Sequence, residues 1–158
     1  MKALLFAPLL GGPALAGDEA LVNRFDDPFG LISADIAGCP EPRGPRVTAA
    51  EARVQAHHRA ERGTTCWLRG DCAEPNAFRY DRGIAEALEP ALRGASALHP
   101  SSLWFTVQGR VVYLEGCVQS AAQATGLEAL ARTVPDVQQA LALVRVGPRG
   151  VVPYRRMD

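Results

Sequence analysis

The sequence predicts an α+β fold, a two-layer sandwich in which two helices pack on one face of a small sheet. The apolar spacing between residues 79 and 147 changes in the order helix, strand, strand, helix, strand. Proline and glycine recur before residue 79 and interrupt regular patterns. We therefore predict a mostly irregular N-terminal extension with one helix at residues 17–78, a folded domain at 79–147 and a flexible tail at 148–158.

The first sixteen residues have the organisation of a secretory signal peptide. Lys2 supplies a positive start, an apolar run follows, and Ala14-Leu15-Ala16 forms a small-residue cleavage site. We expect cleavage after Ala16 and a mature protein that is periplasmic or secreted. The apolar run is too short to span a bilayer, and no later segment has the length of a transmembrane helix.

One helix is predicted within the extension, beginning after Thr48. Thr48 and Glu51 have the spacing of a capping box, and Gly63 is the expected residue just beyond the helix end. Val54 is the single large apolar residue between them. Such a helix has no core face of its own and must be held by contacts with another part of the protein.

A regular pattern begins at the second part of the chain with a helix. In "YDRGIAEALEPALRGA", Ile84, Leu88 and Leu92 recur every four residues and form one apolar stripe. Asp81 is the predicted N-cap, because its carboxylate can accept from the free N–H groups of a first turn. Pro90 lies inside the stripe and is expected to kink or shorten the helix.

Two strands, a helix and a last strand follow. "SLWFTVQ" and "VVYLEGCV" alternate between two faces and are joined by a turn at Gly109 and Arg110. "SAAQATGLEALARTV" predicts a helix that opens at Ser120, and "VQQALALVRV" predicts a strand. Because a helix connects them, the last two strands are expected to pair in parallel.

This hairpin and the segment after it resemble the BON domain family. The family pattern V-x-L-x-G-x-V is matched by Val112, Leu114, Gly116 and Val118, and the resemblance extends over residues 79–147. The chain departs from the pattern at Asp136, where glycine is usual. The resemblance implies an αββαβ sandwich without catalytic activity or cofactor, located in the periplasm or secreted. It also implies binding to an envelope component, either a phospholipid surface or an envelope protein.

The two faces of the predicted sheet differ. The face expected to meet the helices carries Leu103, Phe105, Val107, Val112, Leu114 and Val118. The other face carries Trp104, Val111, Tyr113, Cys117, Leu141 and Leu143. An open face is normally polar, so this apolar one is either a binding surface for a partner or membrane, or is covered by the extension. We favour coverage, because Cys117 lies on this face and needs a disulfide partner.

The chain has four cysteines, Cys39, Cys66, Cys72 and Cys117. An even number in an exported protein predicts two disulfides. We favour Cys66–Cys72 as a local bridge with Cys39–Cys117 as the long-range one. The alternative pairing is Cys39–Cys66 with Cys72–Cys117.

The loop "CWLRGDC" contains Arg-Gly-Asp, the tripeptide that adhesion receptors bind. An arginine-rich and glycine-rich chain of this length meets this tripeptide by chance roughly one time in ten, and nothing else in the sequence resembles an adhesion module. We interpret the loop as part of the disulfide system. Trp67 is its predicted buried anchor, and Arg69 and Asp71 are predicted to be exposed.

The remaining features favour a binding protein over an enzyme. Basic and acidic residues balance at 17 each, which disfavours nucleic acid as a partner. His57 and His58 precede Cys66 and Cys72, but adjacent helical residues point about 100 degrees apart and rarely share one zinc ion. Two alternatives stay open beside the envelope-binding hypothesis. One is an accessory subunit that docks on a periplasmic assembly through the extension, and the other is a small zinc-binding or thiol-dependent protein.

Overall fold

Four strands form one sheet in the computed structural model of the chain, which describes residues 19–147 and 149–157. The strands are β1 (Phe29–Ala34), β2 (Ser101–Gln108), β3 (Val111–Val118) and β4 (Gln139–Val146), and they lie side by side in that order. β1 pairs with β2 and β2 with β3 in antiparallel fashion, whereas β3 and β4 are parallel as expected. The predicted signal peptide lies outside the described residues.

Three α-helices accompany the sheet, α1 (Ala49–Leu68), α2 (Asp81–Gly94) and α3 (Ala121–Ala131). Short 3-10 helices at Ala77–Tyr80 and Ser96–Leu98 flank α2. α2 packs over β1 and β2, and α3 packs over β3 and β4. The predicted α+β two-layer arrangement is therefore confirmed. Among the described helices, none has the length and hydropathy needed to cross a membrane.

The apolar core fills the space between the sheet and the helices α2 and α3. The stripe of α2 is buried through Ile84, Leu88 and Leu92, which meet the inner face of the sheet. That inner face contains all the residues predicted for it, namely Leu103, Phe105, Val107, Val112, Leu114 and Val118. Period-two alternation in the strands and period-four spacing in the helix thus produce one continuous cluster.

The extension contributes an edge strand, β1, which the sequence did not predict. Gly30 allows β1 to approach β2, because a Cβ at this position would lie 2.7 Å from Cε1 of Phe105. The register between the strands shifts after Leu31. Arg93 of α2 reaches around this edge and donates to the carbonyl groups of Ile32 and Leu31 at 2.9 and 2.5 Å. The sheet is thereby one strand wider than predicted.

The helix of the extension, α1, starts as predicted and ends later. Thr48 and Glu51 form a capping box at its start. Gly63 is not beyond the helix end but inside it, and the helix continues to Leu68. Gly63 is buried because the returning chain packs against it, and a Cβ there would lie 2.8 Å from Oδ1 of Asn76. The glycine therefore serves close packing instead of termination.

The prediction that Asp81 caps α2 is wrong. Its side chain instead accepts hydrogen bonds from the backbone N–H groups of Gly109 and Arg110 at 2.6 and 2.7 Å. Asp81 thus ties the start of α2 to the turn between β2 and β3. Pro90 does not shorten α2, which continues to Gly94.

The C-terminal residues, predicted to be a flexible tail, pair with the extension. The backbone N–H of Arg43 donates to the carbonyl of Arg155 at 2.7 Å, and that of Met157 donates to Glu41 at 3.0 Å. Val152 is buried. These backbone bonds hold the tail because the extension lies beside it on the outer face of the sheet. We call the two segments, residues 39–47 and 152–157, the terminal cover.

Candidate functional site

The terminal cover lies over the outer face of the sheet. Cys39 of the cover is joined to Cys117 near the C-terminal end of β3, with 5.9 Å between their Cα atoms. Gly44 lies so close to the Phe29 ring that any Cβ would collide with it. Val111 is buried, and the other predicted residues of this face are half-buried: Trp104, Tyr113, Leu141 and Leu143. The outer face is therefore in part an interface within the chain.

Polar contacts fix the two segments of the cover to each other and to α1. The hydroxyl group of Tyr154 donates to the carbonyl of Pro40 at 2.7 Å, and burial raises the pKa of Tyr154 to about 12. Glu51 in the first turn of α1 pairs with both Arg43 and Arg155. The Thr48 N–H and then the Arg43 guanidinium lower the pKa of Glu51 to about 2. Glu51 is thus a charged junction between helix and cover.

A buried ion pair fixes the middle of α1 to the edge of the sheet. The guanidinium group of Arg59 contacts both carboxylate oxygens of Asp27, at 2.6 and 3.0 Å. The same group lies between the rings of Phe25 and Phe78, at 4.1 and 4.0 Å from their centroids. Gln108 of β2 also donates to Asp27 at 2.7 Å. Because α1 has little apolar surface to bury, this ion pair and the two ring contacts hold the helix in place.

The second disulfide joins Cys66 in the last turn of α1 to Cys72. Both bridges thus have the pairing favoured from the sequence. Arg69 and Asp71 are exposed, as predicted, and form an ion pair with each other at 3.1 Å. Gly70 between them has φ +77°, a conformation that favours glycine.

The prediction that Trp67 is a buried anchor is wrong. Trp67 is 47% exposed and Leu68 is 79% exposed. Gly63 is buried against the returning chain, and Cys66 is half-buried and tied to that chain by its disulfide. On a helix Leu68 points about 200 degrees from Cys66 and is turned away from that side. Trp67 lies one turn beyond Gly63 on the same side, and it is nevertheless half exposed. The helix therefore ends in an exposed apolar pair.

A cleft of about 790 Å³, which we call the arginine cleft, is lined by the two residues that flank this pair in sequence, Cys66 and Arg69. It is lined by Arg62, Arg69 and Arg110, with Asp71 as the one acid among the described lining residues. Arg62 donates to the carbonyl of Gln108 at 3.2 Å, a neutral acceptor. The N-terminal ends of β3 and β4 form its floor. Arg69 is paired with Asp71, and Arg110 lies 3.8 Å from a carboxylate oxygen of Asp136. Three arginines against two aspartates leave the cleft with a small net positive charge, which suits an anionic group.

Arg110 is held in place by several neighbours. Its guanidinium group lies 4.7 Å from the ring centroid of Tyr80, and its Nε donates to the carbonyl of Asp136 at 2.8 Å. Asp81 fixes the backbone of the same turn. Burial raises the pKa of Asp81, while the two backbone N–H groups that it accepts from act in the opposite direction. The position of the arginine is therefore set before any ligand arrives.

Residues 80–148 match the BON domain family. The chain contains a BON domain. The motif residues Val112, Leu114 and Val118 of this BON domain are fully buried. Gly116 has φ +144°, and a Cβ there would lie 2.0 Å from the carbonyl oxygen of Ser102, so the position accommodates only glycine. No curated protein and no solved structure matches the chain.

The residues considered for zinc or thiol chemistry are not brought together. His57 and His58 are exposed on α1 and contact Glu61. Cys66 and Cys72 are bonded to each other and so are not thiolate ligands. Within residues 19–147 and 149–157, no group of three His, Cys, Asp or Glu side chains is placed to hold a metal ion.

Sequence reasoning did not single out Arg62 and Arg110. Arg62 precedes Cys66 by four residues, so helical spacing alone would have placed it on the side of the disulfide. Arg110 occupies a turn, and its approach to the loop after α1 depends on the packing of residues far apart in sequence. The position of Arg62 could therefore have been predicted from the sequence, whereas that of Arg110 could not.

Proposed function

We propose that this BON protein is an exported, non-enzymatic protein that binds the phospholipid surface of the bacterial envelope through the disulfide-closed end of α1. The observation that carries the proposal is the exposed pair Trp67 and Leu68, which stands between two residues that line the arginine cleft, Cys66 and Arg69. Tryptophan and leucine favour the boundary between lipid chains and head groups, while arginine attracts anionic head groups. Tryptophan, leucine and arginine side chains occur together at the C-terminal end of α1.

The covalent structure supports export. All four cysteines are in disulfides, which persist in oxidising compartments such as the periplasm. The predicted signal peptide leads to the same location. The disulfide Cys66–Cys72 also supports binding, because it holds the exposed pair on a defined turn before contact with lipid and so reduces the loss of conformational entropy on binding.

The outer face of the sheet is not the proposed lipid surface. The terminal cover occupies part of it, and the Cys39–Cys117 disulfide prevents the cover from leaving. The N-terminal ends of β3 and β4 line the arginine cleft, which is open to solvent. We therefore assign the contact to the end of α1 and to the arginines next to it.

Vesicle flotation of the mature protein tests this function. We expect the protein to float with vesicles that contain phosphatidylglycerol, to bind more weakly to phosphatidylcholine vesicles, and to be released at high salt. The double variant Trp67→Ala/Leu68→Ala should bind about tenfold or more weakly, because two apolar side chains no longer enter the interface.

Val54→Ser is the matched control, since Val54 is also an exposed apolar residue of α1 but lies several turns from the loop. It should leave flotation unchanged. If the protein does not float under any of these conditions, the lipid function is wrong, and a crosslinking pull-down from the periplasm should then identify an assembly to which the extension docks.

A further inference from the structure

A second cleft, of about 430 Å³, lies between the outer face of the sheet and residues 152–157, the C-terminal segment of the terminal cover. We call it the Glu115 cleft. Thr106, Tyr113 and Glu115 form its floor, and it opens to solvent beside Pro153 and Arg155, which are both exposed. It neighbours the arginine cleft, with Tyr113 between them. Its volume is in the range of small-molecule sites.

Two polar groups in this cleft lack partners. Glu115 is 9% exposed, and no residue in the described part of the chain forms a hydrogen bond or ion pair with its carboxyl group. Thr106 is 3% exposed, and its hydroxyl oxygen is also without a partner in that part of the chain. Thr106 pairs with Tyr113 across the strands, and Glu115 is two residues further along β3, so both groups lie on the same face. Buried polar groups normally have partners, and a bound ligand is one way to supply them.

The charges around Glu115 come from several elements. Arg145 of β4 lies on the same face, opposite Cys117, and forms no ion pair with Glu115. Its Nε is buried and, among the described residues, has no hydrogen-bond partner. Arg155 of the terminal cover is already paired with Glu51 at 3.1 Å. Tyr113 and Tyr154 are the remaining titratable neighbours. Burial raises the pKa of Glu115 to about 7, because its ionised form has no compensating cation.

We propose that the Glu115 cleft binds a small primary alkylamine, whose ammonium group pairs with the Glu115 carboxylate and donates to the Thr106 hydroxyl oxygen. An ammonium group supplies the missing cation and offers hydrogen-bond donors to both orphaned groups. The alkyl part lies against Leu143 and Pro153, which are the apolar wall of the cleft. This site goes beyond the proposed lipid contact and does not depend on it.

Nuclear magnetic resonance titration of the full mature protein tests the site with three probes of equal chain length: butylamine, butanol and butyrate. We expect saturable shifts at the amides of Thr106 and Glu115 with butylamine alone. Glu115→Gln should weaken butylamine binding about tenfold or more, because it removes the charge and keeps the shape. Thr106→Val should weaken it less.

The pH dependence distinguishes an ionic contact from a neutral one. Between about pH 6 and pH 8 the affinity for butylamine should rise about tenfold in the original protein, since Glu115 ionises over this range while the amine stays protonated. In Glu115→Gln the affinity should not change with pH. A pH-independent affinity in the original protein would contradict the proposal.

Two controls separate this site from the lipid function. Glu61→Gln removes an exposed acid of α1 and should leave butylamine binding intact. Trp67→Ala/Leu68→Ala should weaken flotation, as described above, and leave amine binding unchanged. Equal binding of butanol or butyrate, or no binding of butylamine at millimolar concentrations, would overturn the alkylamine site whatever the flotation result.

Discussion

The BON domain and the N-terminal extension are stabilised by different interactions. The BON domain buries a continuous apolar cluster between the sheet and two helices. In α1, the helix of the extension, Gly63 is the one buried residue of 20. The extension contributes β1, which pairs with β2 and buries Ile32 in the core. Its other parts are held by the Arg59–Asp27 pair, backbone bonds to the C-terminal tail and two disulfides. Apolar burial responds little to pH or reduction, so conditions that act on charges and disulfides should loosen the extension first.

The largest expected effect is the loss of the long-range disulfide. Cys39 and Cys117 are 78 residues apart, and in the chain-entropy model a bridge over such a loop contributes about 4 kcal/mol. Cys39→Ala/Cys117→Ala should lower the free energy of unfolding in urea by about this amount. Limited proteolysis of the variant should cleave the terminal cover while residues 80–147 stay protected.

Leu88→Ala is the matched comparison inside the BON domain. Leu88 is fully buried, so its truncation should cost about 3 kcal/mol, and proteolysis should then reach both regions together. If the two variants show the same proteolytic pattern, the extension and the BON domain unfold as one unit, and the proposed difference between them is wrong.

The next effect is a loss of stability as the pH rises, caused by Glu115 under the cover. The pKa of Glu115 is about 7 in the folded protein and 4.5 in a free side chain, so between these values the folded state binds more protons. Its contribution to stability is therefore present at low pH and lost as the pH rises through 7. The loss is about 3 kcal/mol in full.

Urea unfolding from about pH 5 to pH 8 measures this effect. Glu115→Gln should remove the decline, and Glu61→Gln, which changes an exposed acid, should keep it. A decline of equal size in Glu115→Gln would assign the effect to another group.

A smaller effect is expected from the ion pair that fixes α1. Arg59→Met keeps much of the side-chain length between the two phenylalanine rings but removes the charge. Asp27 is 3% exposed and would retain Gln108 as a partner, so we expect a loss of about 2 kcal/mol. Thermal unfolding followed by circular dichroism measures it. The variant Arg53→Met, at an exposed position of the same helix, should change stability little.

The smallest effect is the change in the free energy of unfolding on truncation of Trp67. Its size shows whether Trp67 is a buried anchor or an exposed residue. Trp67→Ala should lower the free energy of unfolding by about 1 kcal/mol or less, because the side chain is half exposed. A buried tryptophan would lose about 3 kcal/mol or more on the same change. The larger value, measured in urea, would restore the anchor and remove the support for lipid contact at this end.

Local periodicity was sufficient to predict the helices and strands of the BON domain and its inner face. Period-two and period-four patterns depend on nearby residues, and the buried residues of β2, β3 and α2 follow them. The alternation of side chains along β3 placed Cys117 on the outer face, and the even number of cysteines predicted that it forms a disulfide. The structure shows that its partner is Cys39. These features could be predicted because each depends on a few adjacent residues or on a simple count.

The parts that were missed depend on contacts between distant residues. β1 contains Gly30 and Ser33 and has little apolar alternation, so its strand state depends on pairing with β2. Asp81 has the identity of an N-cap, yet its carboxylate binds a turn 28 residues later. Glu115 stands in an apolar strand pattern as an ordinary polar residue, and its burial becomes visible only once the terminal cover is in place.

The placement of Arg93 at the free edge of β1 has a consequence for association between molecules. An edge strand with open carbonyl groups can recruit a strand from a second chain and begin aggregation. Here the carbonyl groups of Leu31 and Ile32 already accept from Arg93, and the register shift in β1 interrupts the regular spacing that an added strand needs. An arginine of the BON domain thus protects the open edge of the strand that the extension contributes.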